Sequence, residues 1–547
     1  MAEPGTILSA IELSLKLGIR IAKACEAWKN ADTEIRERAI RLNLYWTQTR
    51  TQIEFIQKVA KTIDEDLLET IDDVLNVLAT KLSLASAKLD KLLESPGSTV
   101  ACASTTWKVK RGRYSLTKNA FDTIMDDLEQ WQKRFDPCWF LMMRIASPLI
   151  DQELRALDKK DATPNDPQTP KEALTKASKT PASLANGLRD ALRESPQRPT
   201  SVFLPFDRSL AFLPIAFSPA RFALRQSKDK PPKRFIVDRF DMPPQSNPTA
   251  VKKDARDLAR KLANADPNTF GLLKAKGVMT VQGQDSQQVE QFNFIYNVPH
   301  GLASPTSLRQ ILIQNHDCLH LSQQIRIARD LANSVGFVHN FNFFHKSIHP
   351  ESVLLFQNVD NTSMSTFLVG FECFRSADAG TLKKGDADWH KNLYRHPTRQ
   401  GVNPETSYSM QHDIYSLGVC LLELGLATSL VTYHPLDEKL ESGPLLEEIQ
   451  EEIAADSSYD AQGGGPIIPV EMRKAYRIKD SLLSLARTRL SRRMGPRYSA
   501  VVATCLTCLD VDNNDFGDES AMTDEDGIIV GVRFIETIIT KLGDIAV

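Results

Sequence analysis

Apolar residues recur at intervals of three and four through the first 157 residues, which is the period of an amphipathic helix. This pattern predicts helices over residues 6–28, 35–59, 64–93, 116–135 and 139–157. The clearest breaks are Ser95-Pro96-Gly97-Ser98 and the basic turn around Gly112, because Gly and Pro interrupt helices. Antiparallel helices of this length pack as a bundle. We therefore predict an all-α helical bundle over residues 1–157.

The first predicted helix is apolar on most of its circumference. At about 100° per residue, one apolar face contains Ile7, Leu8, Ile11, Leu15, Ile19 and Ala22. A second apolar face contains Leu13, Leu17, Ile21 and Ala24. The charged residues of the helix share a stripe about 80° wide: Glu12, Lys16, Arg20 and Lys23. Such a helix is either the central helix of a bundle or a segment that lies in a membrane interface, and the periodicity leaves both readings open.

A change of composition follows the helical region. Residues 158–200 are rich in Pro, Lys, Ser and Thr, which is typical of a linker, and a short helix is predicted at 183–193. Strand-like runs come next at 201–206, 221–225 and 234–240. Strands and helices then share the rest of the chain, so we predict an α+β domain over residues 201–547.

The segment from Gly336 to Glu372 carries the most informative motif. Its frame is His339, then His345-Lys346-Ser347, then Ser352, then Gly370-Phe371-Glu372. In spacing it resembles the catalytic loop and metal-binding segment of a protein kinase, H-R-D-L-x-x-x-N followed by D-F-G. The resemblance puts Ser347 at the position of the catalytic base. It puts Ser352 and Gly370 at the positions of the two metal-binding residues.

Flanking elements support this resemblance. Residues 412–424 resemble the kinase helix whose Asp, here Asp413, holds the catalytic-loop backbone. The resemblance implies structural roles for His339, Asp413 and Gly418. Residues 325–338 have the helical pattern of the long helix in the lobe core, and residues 394–397 fit the end of the activation loop.

The resemblance implies a bilobal fold, with a small lobe over about residues 201–298 and a large lobe over about 299–547. No G-x-G-x-x-G loop is visible, and Asp238 or Arg239 stands at the position of the phosphate-binding lysine. The regulatory helix, at residues 255–262, offers Asp257 but no convincing Glu. Phosphoryl transfer depends on positioning and on neutralising charge with metals and cations. We therefore predict a pseudokinase that is not an enzyme and uses no cofactor or metal.

Composition narrows the class of protein. The chain has 547 residues, 42% hydrophobic and 25% charged, which is ordinary for a soluble globular protein of several domains. A net charge of −2 gives no reason to expect nucleic-acid binding. No signal peptide and no membrane-spanning run is predicted, and the eight cysteines suggest reduced thiols, so we expect a cytoplasmic protein.

Three local motifs suggest ligand sites but do not have the required pattern. Cys505-x-x-Cys508 has no second pair at zinc spacing, so core packing in a helix is the favoured reading. The triplet Gly463–Gly465 lacks the strand and the Lys of a phosphate loop. The acidic run from Asp510 lacks the Gly and the Glu that a calcium loop needs at its sixth and twelfth positions.

The order of features in the bundle resembles the fungal HeLo and HeLo-like domains. It comprises the apolar first helix, Trp46 in the second, Trp107 before Tyr114-Ser115, and Trp131 in a late amphipathic helix. HeLo domains act in programmed cell death by exposing an N-terminal helix that permeabilises the plasma membrane. The resemblance implies that Ile7, Leu8, Ile11, Leu15 and Ile19 belong to a membrane-targeting helix.

The combined architecture is similar to that of the mixed-lineage kinase-domain-like executioner of animal necroptosis. It predicts a fungal cell-death or immune effector whose pseudokinase controls the bundle. Its expected partners are copies of itself, membrane phospholipids at the plasma membrane and an upstream signalling protein that the sequence does not identify. A signalling scaffold whose bundle only oligomerises is one alternative. Another is a divergent active Ser/Thr kinase, in which Glu372 recruits a metal and Lys346 neutralises the phosphate.

Overall fold

The computed structural model describes residues 4–26, 28, 33–94, 108–109, 114–161, 180–192, 202–205, 207–227, 230–242, 247–282, 289–314, 319–359, 364–371, 375–376, 388–434, 439–455, 470–516 and 528–546. Several predicted features lie outside these residues: Glu372, Gly463–Gly465, Trp107, the break at 95–98, most of the basic turn near Gly112 and most of the linker. The side chains of Ile7, Leu8, Tyr114 and Ser115 also lie outside the description.

The chain divides into two compact units, Met1–Arg189 and Asp190–Val547. The first unit is helical, as predicted. Its helices are α1 (Pro4–Glu26), α2 (Thr33–Val59), α3 (Glu65–Leu92), α4 (Tyr114–Leu141), α5 (Pro148–Asp161) and α6 (Pro181–Leu192), with short 3-10 turns at Ala60–Thr62 and Met142–Arg144. The two-residue strands β1 (Leu93–Glu94) and β2 (Lys108–Val109) pair antiparallel.

The prediction placed a helix break between residues 135 and 139, and this was wrong. The helix α4 continues through Pro137 to Leu141, and the chain turns only at residues 145–147. The next helix then begins at Pro148. Proline is tolerated at the first position of a helix, where its missing N–H has no intrahelical partner. The break between the two helices therefore lies directly before Pro148, which starts a helix, and not at Pro137, which lies inside one.

The core-facing side of α1 differs from the face that periodicity singled out. Ile11 is fully buried, but Ile19 on the same predicted face is 44% exposed. The helix packs against α2 and α3 along a seam that includes small residues. At Gly18, an added Cβ would lie 2.0 Å from the Trp46 ring, so only glycine fits there. The close approach at this glycine turns the helix so that part of each predicted apolar face remains exposed.

The helix α6 lies in the stretch predicted as linker, and its residues up to Arg189 belong to the first unit. Arg189, near its end, is buried and donates hydrogen bonds to the carbonyls of Met143 and Ile145 at 2.8 Å and of Ser147 at 3.0 Å. It also pairs with Asp151. These carbonyls lie at the turn between α4 and α5, where helix ends leave acceptors without intrahelical partners. A fragment that ends at residue 157 would lack Arg189 and its hydrogen bonds to these carbonyls.

The second unit begins with a mixed six-stranded sheet. Its strands are β3 (Phe203–Leu204), β4 (Leu210–Pro214), β5 (Arg221–Ser227), β6 (Lys230–Asp241), β7 (Ala275–Gln282) and β8 (Val289–Asn297), in the spatial order β3-β7-β8-β6-β5-β4. All neighbours are antiparallel except β3 with β7. The sequence missed β4, which pairs with β5 and leaves residues 215–220 as the hairpin loop between them. The helices α7 (Pro248–Ala263) and α8 (Pro267–Phe270) connect β6 to β7.

The rest of the unit is mainly helical. Its helices are α9 (Leu308–Gln314), α10 (Leu321–Asn340), α11 (Trp389–Asn392), α12 (Met410–Leu426), α13 (Pro444–Ala455), α14 (Val470–Leu485), α15 (Ser491–Met494), α16 (Pro496–Leu506), α17 (Ile528–Phe534) and α18 (Lys541–Gly543). Wider π-type turns lie at Ala486–Leu490 and Ile535–Thr540, and 3-10 turns lie at Pro350–Ser352 and Pro397–Arg399. Short strands complete it: β9 (Leu302–Ser307), β10 (Phe343–Phe344), β11 (Val353–Asn358), β12 (Met364–Leu368), β13 (Arg375–Ser376), β14 (Val431–Tyr433) and β15 (Leu440–Ser442).

The helices α10 and α12 form the centre of this region. Every residue of α12 is buried, including Asp413 and Glu423. Burial on all sides explains why its sequence is almost continuously apolar and lacks the one-sided pattern of a surface helix. The predicted α+β class of the second unit is confirmed. Within the described residues, no helix is both long enough and apolar enough to cross a membrane.

Candidate functional site

Asp413 anchors the catalytic-loop segment, which we define as residues 345–352. Its carboxylate accepts hydrogen bonds from the backbone N–H of His345 at 2.8 Å and of Lys346 at 3.0 Å. It also accepts from Tyr408 Oη at 2.6 Å and pairs with His339 Nε2 at 3.2 Å. Burial alone would raise the pKa of Asp413, but the hydrogen bond from His339 and the neighbouring groups lower it to about 2. The carboxylate therefore stays ionised and holds the loop backbone.

Two histidines stabilise the fold of the catalytic-loop segment. His345 Nδ1 accepts from the N–H of Ser347 at 3.3 Å, so its Nε2 carries the proton and donates to the Val369 carbonyl at 3.0 Å. His349 Nε2 lies 3.1 Å from Ser347 Oγ, and its Nδ1 lies 3.3 Å from Glu351 Oε2. Burial lowers the pKa of His345 to about 4 and that of His349 to about 3. Both rings are therefore neutral at physiological pH.

Ser352 and Gly370, the positions that the resemblance assigned to metal ligands, lie close together in the structure. Ser352 is fully buried, and its hydroxyl donates to the His349 carbonyl at 2.8 Å. Gly370 has a φ of +82°, a region that favours glycine. An added Cβ at Gly370 would lie 2.9 Å from the Cβ of Ser352. In this conformation the site has neither a carboxylate at this position nor space for one.

The strand β6 shows which of Asp238 and Arg239 faces the interior. Asp238 is 3% exposed and points inward, where its Oδ2 accepts from the N–H of Gly370 at 2.7 Å and of Phe371 at 3.3 Å. Arg239 points outward and pairs with Asp241 at 2.7 Å on the surface. Burial, followed by the charge of Asp238, raises the pKa of the neighbouring Tyr296. Asp238 therefore places a negative charge beside the backbone of Gly370 and Phe371.

The helix α7 contains the predicted regulatory segment and is joined to the large lobe through a lysine. Lys261 is 8% exposed and donates to the Phe341 carbonyl at 2.6 Å. Its Nζ also lies 4.3 Å from the centroid of the Phe343 ring. Asp257, the acidic residue singled out in the sequence, instead pairs with its neighbour Arg256 at 3.5 Å. The helix is thus fixed to the segment that directly precedes the catalytic-loop segment.

The hairpin loop 215–220 reaches down to the large lobe. Ser218 Oγ donates to the Glu351 carbonyl at 2.8 Å, and Ser307 Oγ donates to the Ala216 carbonyl at 2.6 Å. The ring of Phe217 lies against that of Tyr433, with centroids 4.5 Å apart. This loop joins β4 and β5, the second and third strands of the sheet in chain order. Here it contacts the catalytic-loop segment directly.

A buried ionic network lies behind the catalytic-loop segment. Arg309 is fully buried and pairs with Glu423 at 2.9 Å and with Glu351 at 3.5 Å. Tyr394 Oη donates to Glu423 at 2.8 Å, and Tyr433 Oη donates to Glu351 at 2.7 Å. Burial opposes the charge on Arg309, but Tyr394 and the two carboxylates raise its pKa. Glu351 therefore links the catalytic-loop segment, the hairpin loop and this network.

The structure brings most of the predicted site residues together. His339, His345, Lys346 and Asp413 form one hydrogen-bonded group, and Ser347 joins it through His345. Phe371 lies against the His345 ring with centroids 4.6 Å apart, and Gly418 faces Cys505 of α16. Among the described residues, no group of three or more His, Cys, Asp or Glu is placed to hold a metal ion.

Sequence reasoning gave no role to His349, Glu351 or Arg309. A histidine and a glutamate two residues apart beside the degenerate motif were a visible signal, but only the fold shows that both side chains point inward. Arg309 gave no signal, because a charged residue in a short helix normally faces solvent.

Part of the chain is similar to a known kinase-like protein. No protein-family profile matches the sequence. A stretch of 125 residues, 21% of the chain, is 30% identical to a probable inactive serine/threonine-protein kinase of Dictyostelium discoideum, and the match spans 10% of that protein's length. Among solved structures, a chain of the CAK complex from Chaetomium thermophilum bound to ATP-gamma-S aligns with a TM-score of 0.34 and 18% identity, over 60% of this chain and 90% of that one. The Dictyostelium match shows that this part of the chain has weak homology to a protein named as a probable inactive kinase.

Proposed function

We propose that the second unit is a pseudokinase, retained as a binding or switching module. The observation that carries this proposal is the contact between Asp238 and the backbone of Gly370 and Phe371. A kinase needs a cation at the position of Asp238 and a metal-binding carboxylate at that of Gly370, because the cation and the bound metal neutralise phosphate charge. Here an anion faces two backbone N–H groups, and a phosphate placed beside it would be repelled. Ser347 offers only a neutral hydroxyl where the base should be.

The direct test is a phosphoryl-transfer assay with the full-length chain, ATP and Mg²⁺ or Mn²⁺. We expect no transfer to the chain itself or to generic protein substrates above the level of a mock purification. A signal that disappears in a Glu372→Ala variant would instead support the divergent-kinase alternative, in which Glu372 recruits the metal.

Nucleotide binding is a separate test of the same site. Ligand binding raises the free energy of unfolding by RT ln(1 + [L]/Kd), which is about 2.7 kcal/mol at 100 times Kd. We expect millimolar ATP to produce no shift in the unfolding temperature of the second unit. A clear shift would show that the chain binds nucleotide despite the acidic residue on β6.

We further propose that the first unit is a HeLo-type membrane effector and that the pseudokinase controls its activation in regulated cell death. This proposal rests on α1, which keeps apolar side chains on the bundle surface. Leu13 is 49% exposed and Ile19 is 44% exposed, on either side of the buried Ile11. The nearby Arg20 pairs with Asp90 at 2.6 Å at the surface. Exposed ion pairs contribute about 0–1 kcal/mol, so this contact holds α1 only weakly.

The test compares liposome binding and leakage for matched variants of the full chain and of a fragment covering residues 1–192, which includes α6. Leu13→Glu places a charge on the exposed face of α1, and Leu84→Glu makes the same change on α3, where Leu84 is 58% exposed. Both sites are exposed, so both variants should fold. We expect only Leu13→Glu to weaken binding to anionic liposomes, because only α1 would enter the interface.

Increasing salt should also weaken binding, because it screens the attraction of Lys16, Arg20 and Lys23 for anionic head groups. If the folded fragment neither binds liposomes nor releases their contents at any lipid composition, the scaffold function is favoured. In that case the bundle would serve only for self-association, which sedimentation of the same samples would detect.

A further inference from the structure

The hairpin loop 215–220 is held to the catalytic-loop segment by one partly exposed hydroxyl. Ser218 Oγ donates to the Glu351 carbonyl at 2.8 Å and also accepts from the N–H of Ala220 at 3.3 Å. The second hydroxyl at this contact, on Ser307, is fully buried and so is out of reach of a modifying enzyme. Ser218 is therefore the position at which chemistry from outside can act on the contact.

The loop is under local strain in this position. Phe217 has a φ of +53°, which is uncommon for a residue that is neither Gly, Asn nor Asp. Such conformations persist where surrounding contacts enforce them, and they occur at switch regions. The contacts here are the ring of Tyr433, 4.5 Å from that of Phe217, and the hydrogen bonds on either side of it. Loss of the Ser218 contact would allow Phe217 to relax.

The electrostatics around Ser218 make the contact sensitive to negative charge. Its acceptor is the carbonyl of Glu351, whose carboxylate is paired with Arg309 at 3.5 Å. Arg309 is already shared with Glu423, and the neighbouring His349 is neutral. At pH 7 a phosphoserine carries about −1.5 to −2 charges, and its phosphate oxygens act mainly as hydrogen-bond acceptors. It would therefore meet the carbonyl oxygen of Glu351 without a proton to donate, and the hydrogen bond at 2.8 Å would be lost.

We propose that Ser218 is a regulatory phosphorylation site whose modification releases the hairpin loop from Glu351. A separate Ser/Thr kinase would use Mg·ATP: a bond forms between Ser218 Oγ and the γ-phosphorus, and the bond from that phosphorus to the bridging oxygen of ADP breaks. The hydroxyl proton passes to the base of the modifying kinase. The side chain of Ser218 is only partly buried at the tip of a hairpin, where local opening exposes it further.

This proposal rests on the pseudokinase function proposed above, because it names how the catalytic-loop segment of that pseudokinase would be regulated. Its test reads the contact itself by hydrogen exchange of residues 215–220 and 345–352 in the full-length chain. That measurement involves neither phosphoryl transfer nor membranes, so failure here is distinct from failure of the proposed function.

The first experiment compares Ser218→Glu, Ser218→Ala and Ser304→Glu with the unmodified chain. Ser304 is an exposed serine on β9 that also precedes a proline, so it controls for added charge elsewhere in the second unit. We expect exchange in the two segments to accelerate at least tenfold in Ser218→Glu, less in Ser218→Ala, and not at all in Ser304→Glu. Unchanged exchange in folded Ser218→Glu, or equal acceleration in Ser304→Glu, would overturn the proposal.

The second experiment tests modification directly. The chain is incubated with Mg·ATP and a proline-directed Ser/Thr kinase, because Pro219 follows Ser218. Peptide mass spectrometry then locates the phosphate, with Ser218→Ala as the control. We expect phosphate on Ser218 and the exchange pattern of Ser218→Glu. Phosphate at other serines such as Ser304 but none at Ser218, or phosphorylated Ser218 with native exchange, would refute the assignment.

Discussion

Lowering the pH from about 7.5 to about 5.5 should destabilise the second unit, because it contains four histidines that fold in their neutral form. Burial lowers the pKa of His345 and His412 to about 4 and that of His349 and His396 to about 3. In the unfolded chain these imidazoles titrate near 6.5. Between these values the unfolded state binds more protons than the folded state, so stability falls as the pH falls.

The size of the effect follows from linkage. For a group with an unfolded pKa near 6.5 and a folded pKa near 3 to 4, the change from pH 7.5 to 5.5 costs about 1.4 kcal/mol. Four such groups give about 5 kcal/mol, a large share of the 5–15 kcal/mol typical of a folded domain. The carboxyls of Asp413 and Glu351 have lowered pKa values, so their contributions are lost only at lower pH, outside this window.

The assay is urea unfolding of the full-length chain at the two pH values. A brief deuterium pulse at a common pH then reports the fraction of unfolded α12 by mass spectrometry, separately from the bundle. Replacing one of the four buried imidazoles should remove about a quarter of the pH dependence, so His396→Gln is the informative variant. His300→Gln, at an exposed histidine, is its control and should leave the dependence unchanged. A midpoint for α12 that is the same at both pH values would refute the neutral burial of these rings.

Three further substitutions test the packing. Arg309→Leu should destabilise the second unit by about 3–5 kcal/mol in urea unfolding, because it leaves Glu423 buried without its cation. Gly18→Ala should destabilise the bundle by about 1–3 kcal/mol, because the added Cβ overlaps Trp46; calorimetry that shows no change would contradict the tight seam. Asp238→Ala should cost about 2–3 kcal/mol without creating ATP binding, because two buried backbone N–H groups lose their acceptor; a thermal shift with ATP would show that Asp238 alone excludes nucleotide.

The first helix shows where periodicity stops being sufficient. The pattern correctly predicts a helix and its charged stripe, but α1 has apolar residues on most sides, so several rotations about its axis would bury similar areas. The lack of a side chain at Gly18 selects one of them, because it lets Trp46 approach the helix. That choice leaves Leu13 and Ile19 partly exposed, which could not be read from the spacing of apolar residues.

The sequence by itself determined the class of each region and the spacing of the catalytic-loop segment, because local patterns and short motifs are written in consecutive residues. Only the tertiary structure decided between Asp238 and Arg239, since a strand points neighbouring side chains to opposite faces and packing determines which face is inside. The bond from Ser218 to Glu351 likewise joins residues 133 positions apart. Such a contact depends on how the hairpin loop and the catalytic-loop segment fold against each other, and no local pattern encodes it.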